Sequence, residues 1–376
     1  MQKTTLIDKF REIAQAPYAY LRKLKSQTGQ TMIGSTCAFT PEEIILAAGA
    51  HPFRISAESQ SLAGADAHIQ AYGCSMVRGM LEDGLSGNLD FLDGVVFPHA
   101  CDTIQRLSDI WRLNIKSLHF DLLLPVKLDS ALSKTYFKAV LQRFKKDLEK
   151  ALKTEISDEN IEKAIVLMNG IRRKLITLYE WRSETPGILS GSELSAIVKA
   201  IMVMDKQEAD NLLGQLVETL HSEQPSASGK NMKRILISGS VCSHPDIYNM
   251  IENKGAAVVW DDLCSGSRYF EGLVAENSLS PLEAIARRFT ERYVCPAKHI
   301  GVKFQMENLK KRITTHNIDA VLFLFVKFCE PFSFDYPDIK KELEEMEIPF
   351  LLVEMDRHNE VDEQMRTRID TMLEIL

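Results

Sequence analysis

The chain has 376 residues, of which 45% are hydrophobic and 26% are charged, a composition typical of a globular protein with two or three domains. Its formal net charge of −7 argues against general nucleic-acid binding, because contacts with phosphates require a basic surface. There is no apolar run of the roughly 18 residues that span a membrane, and the first residues lack the layout of a signal peptide. We therefore expect a cytoplasmic protein without a membrane segment, whose seven cysteines stay reduced and serve as buried thiols or metal ligands.

The N-terminal part of the chain predicts helices followed by a first α/β domain. Apolar side chains at helical spacing predict a helical segment over residues 1–30. A capping box is expected next, with Thr40 as the cap and Glu43 as its partner, so that a short helix begins there and ends at Gly49. The apolar stretches PFRI and FLDGVVF then predict two strands of an α/β domain over residues 31–128.

The middle of the chain changes character and predicts a helical block over residues 129–231. An amphipathic pattern predicts one long helix, and Ser157 is the expected cap of the next. Ser192 and Asp205 are the expected caps of two more helices. The polar stretch over residues 221–231, HSEQPSASGKN, is predicted to be a linker.

Short apolar strands alternate with helices again after the predicted linker. RILISGS, AAVVW, AVLFLFV and PFLLVEMD are the expected strands, and a helix over residues 245–254 is expected to end at Gly255. Runs that are apolar throughout are typical of parallel strands covered on both faces. We therefore predict a second α/β domain over residues 232–376, and a fold class of α/β with parallel sheets and a helical block.

The two α/β regions have the pattern of a diverged duplication. In each region a cysteine precedes a helix, a glycine and a strand, and a later strand runs into a cysteine followed by an acidic residue. Open parallel sheets bind ligands at the carboxyl ends of their strands, where these later cysteines are expected. The matched positions are Cys37 and Cys242, Gly49 and Gly255, Cys74 and Cys295, and Cys101 and Cys329.

Common catalytic signatures are absent from the sequence. It contains no GxGxxG after a strand, Walker loop, HExxH, GxSxG or CxxC, so a zinc ribbon is disfavoured and nucleotide binding has no support. Scattered cysteines remain as candidates, because thiolates from distant loops can hold one iron–sulfur cluster. The candidates lie at a predicted helix start, Cys74, or just past predicted strands, Cys101 and Cys329. Backbone N–H groups at such places stabilise the negative charge of a thiolate. The alternative for each of the three cysteines is a thiol buried in the core. Three histidines near these loops are candidates for proton transfer or ligation, or are ordinary loop residues: His51, His99 and His299.

Many ordered segments of the chain resemble one known family. TCAFTPEEIILAAGAHPFRI, YGCSMVRGMLEDG and LDFLDGVVFPHACDTIQRLSDIW resemble its first segments, and YVCPAKH, KFCEPFSFDYPDIKKEL and IPFLLVEMD resemble its later ones. From about residue 30 to its C-terminus the chain resembles a subunit of the (R)-2-hydroxyacyl-CoA dehydratase and benzoyl-CoA reductase family, like the D component of 2-hydroxyglutaryl-CoA dehydratase. The resemblance implies two flavodoxin- or Rossmann-like α/β domains with a helical block, which agrees with the duplication.

The resemblance also implies a cofactor, partners and a reaction. It implies a 4Fe-4S cluster between the two α/β domains, held by Cys74, Cys101 and Cys329, with the fourth iron open to water, sulfide or a substrate carbonyl. A homologous second subunit would complete a heterodimer, and an ATP-dependent iron–sulfur activator would supply one low-potential electron. That electron would convert an acyl-CoA into a ketyl radical anion, which expels its α-hydroxyl group. Related enzymes use it to reduce benzoyl-CoA. The resemblance assigns no catalytic acid or base.

Two other functions stay open on the sequence. One branch of the same superfamily has an 8Fe-9S double cubane on six cysteines and acts as a homodimeric reductase of small molecules. In this chain Cys37, Cys264 and Cys295 would be the additional ligands. The third possibility is a non-catalytic partner that supplies only an electron-relay cluster or a binding face.

Overall fold

A computed structural model of the protein describes residues 2–222, 232–242, 245–292, 295–298, 300–355 and 363–376. The predicted linker lies mainly outside these residues, since only its first two residues are described, at the end of a helix. Within the described ranges eight strands form two sheets, and every pairing is parallel. In chain order the strands are β1 (Met32–Ser35), β2 (His51–Arg54), β3 (Gly94–Pro98), β4 (Leu118–Leu122), β5 (Lys233–Gly239), β6 (Ala256–Asp262), β7 (Ala320–Val326) and β8 (Phe350–Met355).

The two sheets have the same strand order, β2-β1-β3-β4 in the first and β6-β5-β7-β8 in the second. All seven residues of β7 and the last five of β5 are buried, as expected for parallel strands covered on both faces. The predicted α/β class with two parallel sheets is confirmed, and the shared order supports the duplication. The sequence patterns do not predict β1 or β4, because MIGS and LHFDL are short and mix polar with apolar residues.

Helices flank both sheets and form a block between them in the chain. The predicted N-terminal helical segment is present as α1 and α2, and α7 to α10 form the block, while the domain boundaries themselves stay predictions. No helix in the described ranges is both long and apolar enough to cross a membrane. The bounds are α1 (Lys3–Gln15), α2 (Pro17–Thr28), α3 (Glu42–Ala47), α4 (Ala63–Asp66), α5 (Ser75–Leu85), α6 (Asp102–Asn114), α7 (Ala131–Leu152), α8 (Asp158–Glu184), α9 (Gly191–Ile201), α10 (Lys206–Ser222), α11 (Pro245–Glu252), α12 (Ser267–Phe270), α13 (Pro281–Glu291), α14 (Val302–Thr315), α15 (Glu330–Glu345) and α16 (Glu363–Ile375).

Polar side chains cap the helices of the block, although not always at the predicted residue. The side-chain oxygens of Ser157 and Asp205 accept first-turn backbone N–H groups of α8 and α10 at 3.1 and 2.9 Å, as predicted. The prediction of Ser192 as a cap is wrong. Ser190 caps α9 instead, because Glu193 stands three residues after it and completes a capping box.

The predicted capping box of Thr40 and Glu43 is also wrong. The Thr40 hydroxyl is buried without a hydrogen-bond partner among the described residues. Glu43 turns inward and pairs with Arg172 of α8 at 2.5 Å, with both side chains almost fully buried. Burial favours the neutral carboxyl group, but Arg172 and Arg288 hold the pKa of Glu43 below its usual value. This ion pair joins the helical block to the first α/β unit.

One apolar core contacts both sheets and positions the candidate site. It contains Phe97 of β3, Ile237 of β5 and Leu324 of β7. Shared burial of these side chains holds the two α/β units against each other. Four of the chain's cysteines are partly buried against this core: Cys37, Cys74, Cys101 and Cys329.

The buried pair between Arg172 and Glu43 gives the first prediction. Replacing Arg172 by Met should lower the free energy of unfolding by about 3–5 kcal/mol, because Glu43 would stay buried without its cation. The adjacent Arg173 provides a matched control, since it pairs with Glu276 at the same 2.5 Å but is half exposed. R173M should cost about 1 kcal/mol or less. Urea unfolding of both variants tests this, and equal losses would contradict it.

Candidate functional site

Three of the predicted ligands, Cys74, Cys101 and Cys329, stand at helix starts. They are the N-cap residues of α5, α6 and α15. Cys101 follows β3 and Cys329 follows β7, which occupy equivalent places in the two sheets. All three line one cavity of about 290 Å³, together with side chains such as Phe328 and Phe334. The two α/β units therefore contribute thiols to the same space.

Burial and backbone hydrogen-bond donors shift the pKa of these three thiols in opposite directions. Burial raises the pKa of each, because a thiolate loses its hydration, and it raises that of Cys101 to about 12. Backbone N–H groups further along each helix start donate to the sulfur and favour its charged form. The charges of Cys74 and Cys101 also raise the pKa of Cys329. The site therefore suits thiolates whose charge is neutralised by a bound cation.

The three thiols are donors of the type that an iron–sulfur cluster uses. Within the described part of the chain, no three His, Cys, Asp or Glu side chains are close enough together to hold one metal ion. The ligands of a cubane bind separate irons, so they stand farther apart than the ligands of one ion. Buried thiols with N–H donors at sulfur, around a partly apolar cavity, are the donor set that such clusters use.

The other three candidate cysteines, Cys37, Cys264 and Cys295, also lie near one another. The thiol of Cys295 donates a hydrogen bond to Cys264, and Cys37 is close enough to affect the pKa of Cys295. The two sets adjoin, because Cys37 raises the pKa of Cys101 and Cys264 raises that of Cys329. We call these six residues the cysteine centre: Cys37, Cys74, Cys101, Cys264, Cys295 and Cys329.

Cations around the cysteine centre are functional candidates that the sequence patterns did not reveal. The buried guanidinium of Arg268 donates to both carboxylate oxygens of Asp262 at 2.7 Å and lies 3.8 Å from the Cys264 sulfur. The hydrogen bond from Cys295, with the charges of Arg268 and Arg54, holds the pKa of Cys264 below its usual value. The sequence analysis missed Arg268, although its position four residues after Cys264 is a spacing that could have indicated this contact.

The remaining candidates are not part of the cysteine centre. Cys242 is fully buried in the apolar core. His51 is buried with its Nε2 atom 2.9 Å from a backbone carbonyl oxygen, and burial lowers its pKa to about 4, so it is a neutral structural residue. The Nε2 atom of His99 lies 2.9 Å from the carboxylate of Asp121 on β4. His299 lies outside the described residues.

Fold and site together define a class of protein: a duplicated α/β chain whose strand-end loops assemble a centre of cysteines. Residues 37–376 match the model of the family described as 2-hydroxyglutaryl-CoA dehydratase, D-component. The chain belongs to this family, and the resemblance seen in its sequence is confirmed.

Similar proteins agree with this assignment. The chain is 29% identical to the (R)-phenyllactyl-CoA dehydratase beta subunit of Clostridium sporogenes, over 98% of this chain and 97% of that protein. It is 24% identical to the beta subunit of (R)-2-hydroxyglutaryl-CoA dehydratase from Acidaminococcus fermentans, over the whole of both chains. It is 26% identical to one of the subunits of benzoyl-CoA reductase from Thauera aromatica, over 83% of this chain and 82% of that protein. The expectation of an enzyme subunit related to dehydratases, with a reductase alternative, is confirmed.

A buried carboxyl group on β6 is expected to make stability depend on pH. Asp261 of β6 accepts hydrogen bonds from the Tyr179 hydroxyl at 2.6 Å and from the Ser267 N–H at 2.8 Å. Burial raises the pKa of Asp261 to about 6, and the charge of Asp262 acts in the same direction. In the unfolded chain an aspartate has a pKa of about 3.9. The folded form therefore binds this proton more tightly, and its stability falls as the pH rises between these two values.

We predict that replacing Asp261 by Asn removes this pH dependence. Between pH 5 and pH 7 the free energy of unfolding of the unmodified chain should fall by roughly 1 kcal/mol more than that of D261N. Urea titrations at both pH values measure the difference. A parallel pH dependence in the two proteins would show that Asp261 does not titrate in this range.

Proposed function

We propose that this chain is the iron–sulfur subunit of an enzyme of the 2-hydroxyacyl-CoA dehydratase or benzoyl-CoA reductase type. In this proposal Cys74, Cys101 and Cys329 hold a 4Fe-4S cluster, the chain forms a heterodimer with a homologous second subunit, and an ATP-dependent activator supplies one low-potential electron. The reaction removes water from an acyl-CoA through a ketyl radical, or reduces the acyl-CoA. The observation that carries the proposal is the convergence of three helix-starting cysteines, from both α/β units, on one cavity.

The chain's own residues have defined roles in this proposal. When bound, a cubane supplies a one-electron centre and one iron that can act as a Lewis acid. The N–H groups at the starts of α5, α6 and α15 stabilise the charge on the ligand sulfurs. The relatives named as beta subunits support the expectation of a second subunit.

Cysteine replacements test the proposal directly. C74A, C101A and C329A should each lose the cluster under mild chelation, because losing one of three ligands exposes another iron to exchange. C242A is the matched control, since Cys242 is equally a free cysteine but is enclosed in the core. It should keep the cluster and lose only about 1 kcal/mol of stability. Iron, sulfide and the visible absorption of anaerobically purified protein are the measurements, and unchanged iron in all three ligand variants would refute the assignment.

The geometry of the cysteine centre also favours a second candidate, a double-cubane reductase of small molecules. The specific observation is that Cys37, Cys264 and Cys295 adjoin the first three cysteines, with Cys295 hydrogen-bonded to Cys264. Six thiols, three from each α/β unit, would hold an 8Fe-9S double cubane. In this alternative the chain acts as a homodimer and does not require an acyl-CoA.

Iron counting separates the two candidates. The single-cluster proposal predicts about four irons per chain, whereas the double cubane predicts about eight. C37A, C264A and C295A should leave the iron content and cubane absorption unchanged if the single-cluster proposal is correct. Loss of half of the iron in these variants would replace the first candidate with the second.

A further inference from the structure

Strand β4 is an edge of the first sheet, and within the described ranges it pairs only with β3. The Leu118 N–H donates to the carbonyl oxygen of Asp93, and the Leu122 carbonyl oxygen accepts the N–H of His99. Successive residues of a strand direct their backbone groups to alternate sides. Those of His119 and Asp121 therefore point away from β3, toward the outer edge. An outer edge of this kind is a template for another strand.

The equivalent strand of the second sheet, β8, has a protected outer edge. Its carbonyl oxygens at Pro349 and Met355 accept N–H groups from the side of β7, so that of Leu352 faces outward. The guanidinium of Arg368 on α16 donates to this Leu352 oxygen at 2.8 Å. Covering an edge with a charged side chain prevents pairing with other strands. No residue in the described part of the chain covers the outer edge of β4 with such a bond.

A groove of about 640 Å³ runs along the outer edge of β4, between this strand and α7. Tyr136, Arg143 and Asp147 of α7 line it, at spacings that place them on one side of the helix. Tyr136 and Leu123, which follows β4, are large apolar side chains that are 48% and 46% exposed. Exposed apolar side chains grouped at one place mark an interaction surface. We call the following residues the β4 surface: His119, Asp121, Leu123, Tyr136, Arg143 and Asp147.

The edge of β4 is complementary to itself about a two-fold axis at Phe120. In an antiparallel pair centred there, His119 of one copy would stand opposite Asp121 of the other. These are the residues whose backbone groups point outward, so each of the two pairs would exchange two N–H···O=C bonds. A pair centred on Asp121 would instead place two carboxylates opposite each other, which is unfavourable.

The same axis would bring two copies of α7 together in antiparallel orientation. The rings of Phe120 on β4 and Phe144 on α7 are in contact, with centroids 5.7 Å apart, so this part of α7 lies beside the axis. The neighbouring side chains Arg143 and Asp147 carry opposite charges, and both are more than half exposed. Two antiparallel copies would therefore place Arg143 of each near Asp147 of the other, which is favourable.

We propose that the β4 surface binds a second copy of this chain, so that the first sheets of the two copies join edge to edge. The contact uses the same residues of both copies, and it therefore closes as a two-fold dimer. It involves no cysteine and does not rest on the proposed function. In the proposed heterodimer it would join two heterodimers.

Sedimentation equilibrium of the anaerobically purified full chain tests the proposal. The chain should have twice its mass of 42.5 kDa. Y136E should raise the dissociation constant at least about tenfold, because it buries a carboxylate without a partner in the contact. L279K is the matched control, since Leu279 is a fully exposed apolar residue outside the β4 surface. It should change the dissociation constant less than about twofold.

A charge exchange separates a specific contact from damage to the fold. R143D and D147R should each raise the dissociation constant about tenfold, because each brings like charges of the two copies together. The double variant R143D/D147R restores opposite charges and should return the constant to within about threefold of the original. A double variant that dissociates as readily as the single ones would overturn the proposed register.

Hydrogen exchange followed by mass spectrometry tests the pairing of the strands. Peptides that cover residues 118–122 should exchange more slowly in the unmodified chain than in Y136E, because His119 and Asp121 lose their N–H partners when the dimer dissociates. Equal exchange in the two proteins would overturn the proposal.

Two further outcomes would overturn the proposal. One is an unmodified chain that stays monomeric at about 100 µM, a concentration at which even weak specific dimers form. The other is a dimer that survives Y136E but dissociates in F334K. Phe334 is exposed at the cavity of Cys74, Cys101 and Cys329, so that result would place the contact there.

Discussion

The apolar core shared by the two sheets is the interaction on which the rest of the structure depends. Side chains from β3, β5 and β7 enter the same core, so the two α/β units cannot separate without exposing it to water. Strands of a parallel sheet all end at one edge, and joining two such sheets brings two sets of strand-end loops together. Each unit supplies three of the six cysteines of the centre, so neither unit contains the centre by itself.

Electrostatics around the cysteine centre follow from its burial. Thiolates are costly in a low-dielectric interior, and burial pushes all six thiols toward their neutral form. The pKa of five of them is raised overall, and that of Cys264 is lowered. Backbone N–H groups at helix starts lower the pKa of three thiols and so oppose the effect of burial there: Cys74, Cys101 and Cys329. The charges of Arg268 and Arg54 lower the pKa of Cys264 in the same way. Arg268 can remain charged in this interior because Asp262 binds it through two oxygens. The protein therefore stabilises negatively charged sulfur atoms in both α/β units.

Divergence between the duplicated units explains why the centre is not symmetric. Cys37 and Cys242 follow equivalent strands, yet Cys37 adjoins the centre and Cys242 is enclosed in the core. Two residues past β6 stands Cys264, whereas the same position past β2 is Ser56. The first unit instead ends β2 with Arg54, a cation whose charge lowers the pKa of Cys264. In this part of the centre the second unit therefore contributes a thiol, Cys264, and the first unit contributes a positive charge, Arg54.

The sequence by itself determined the α/β class, the duplication, most strands and helices, and the cysteines that begin α5, α6 and α15, because these depend on local spacing and on short ordered segments. Only the tertiary structure decided which cysteines meet, and it separated Cys37 from Cys242 although their sequence settings are alike. It also turned Glu43 away from its expected cap toward Arg172, 129 positions along the chain. Packing brings residues together that are distant in the chain, and it removes the water around their charged groups. This loss of water sets the energy of a buried ion pair and the pKa of a buried thiol, and no local sequence pattern encodes it.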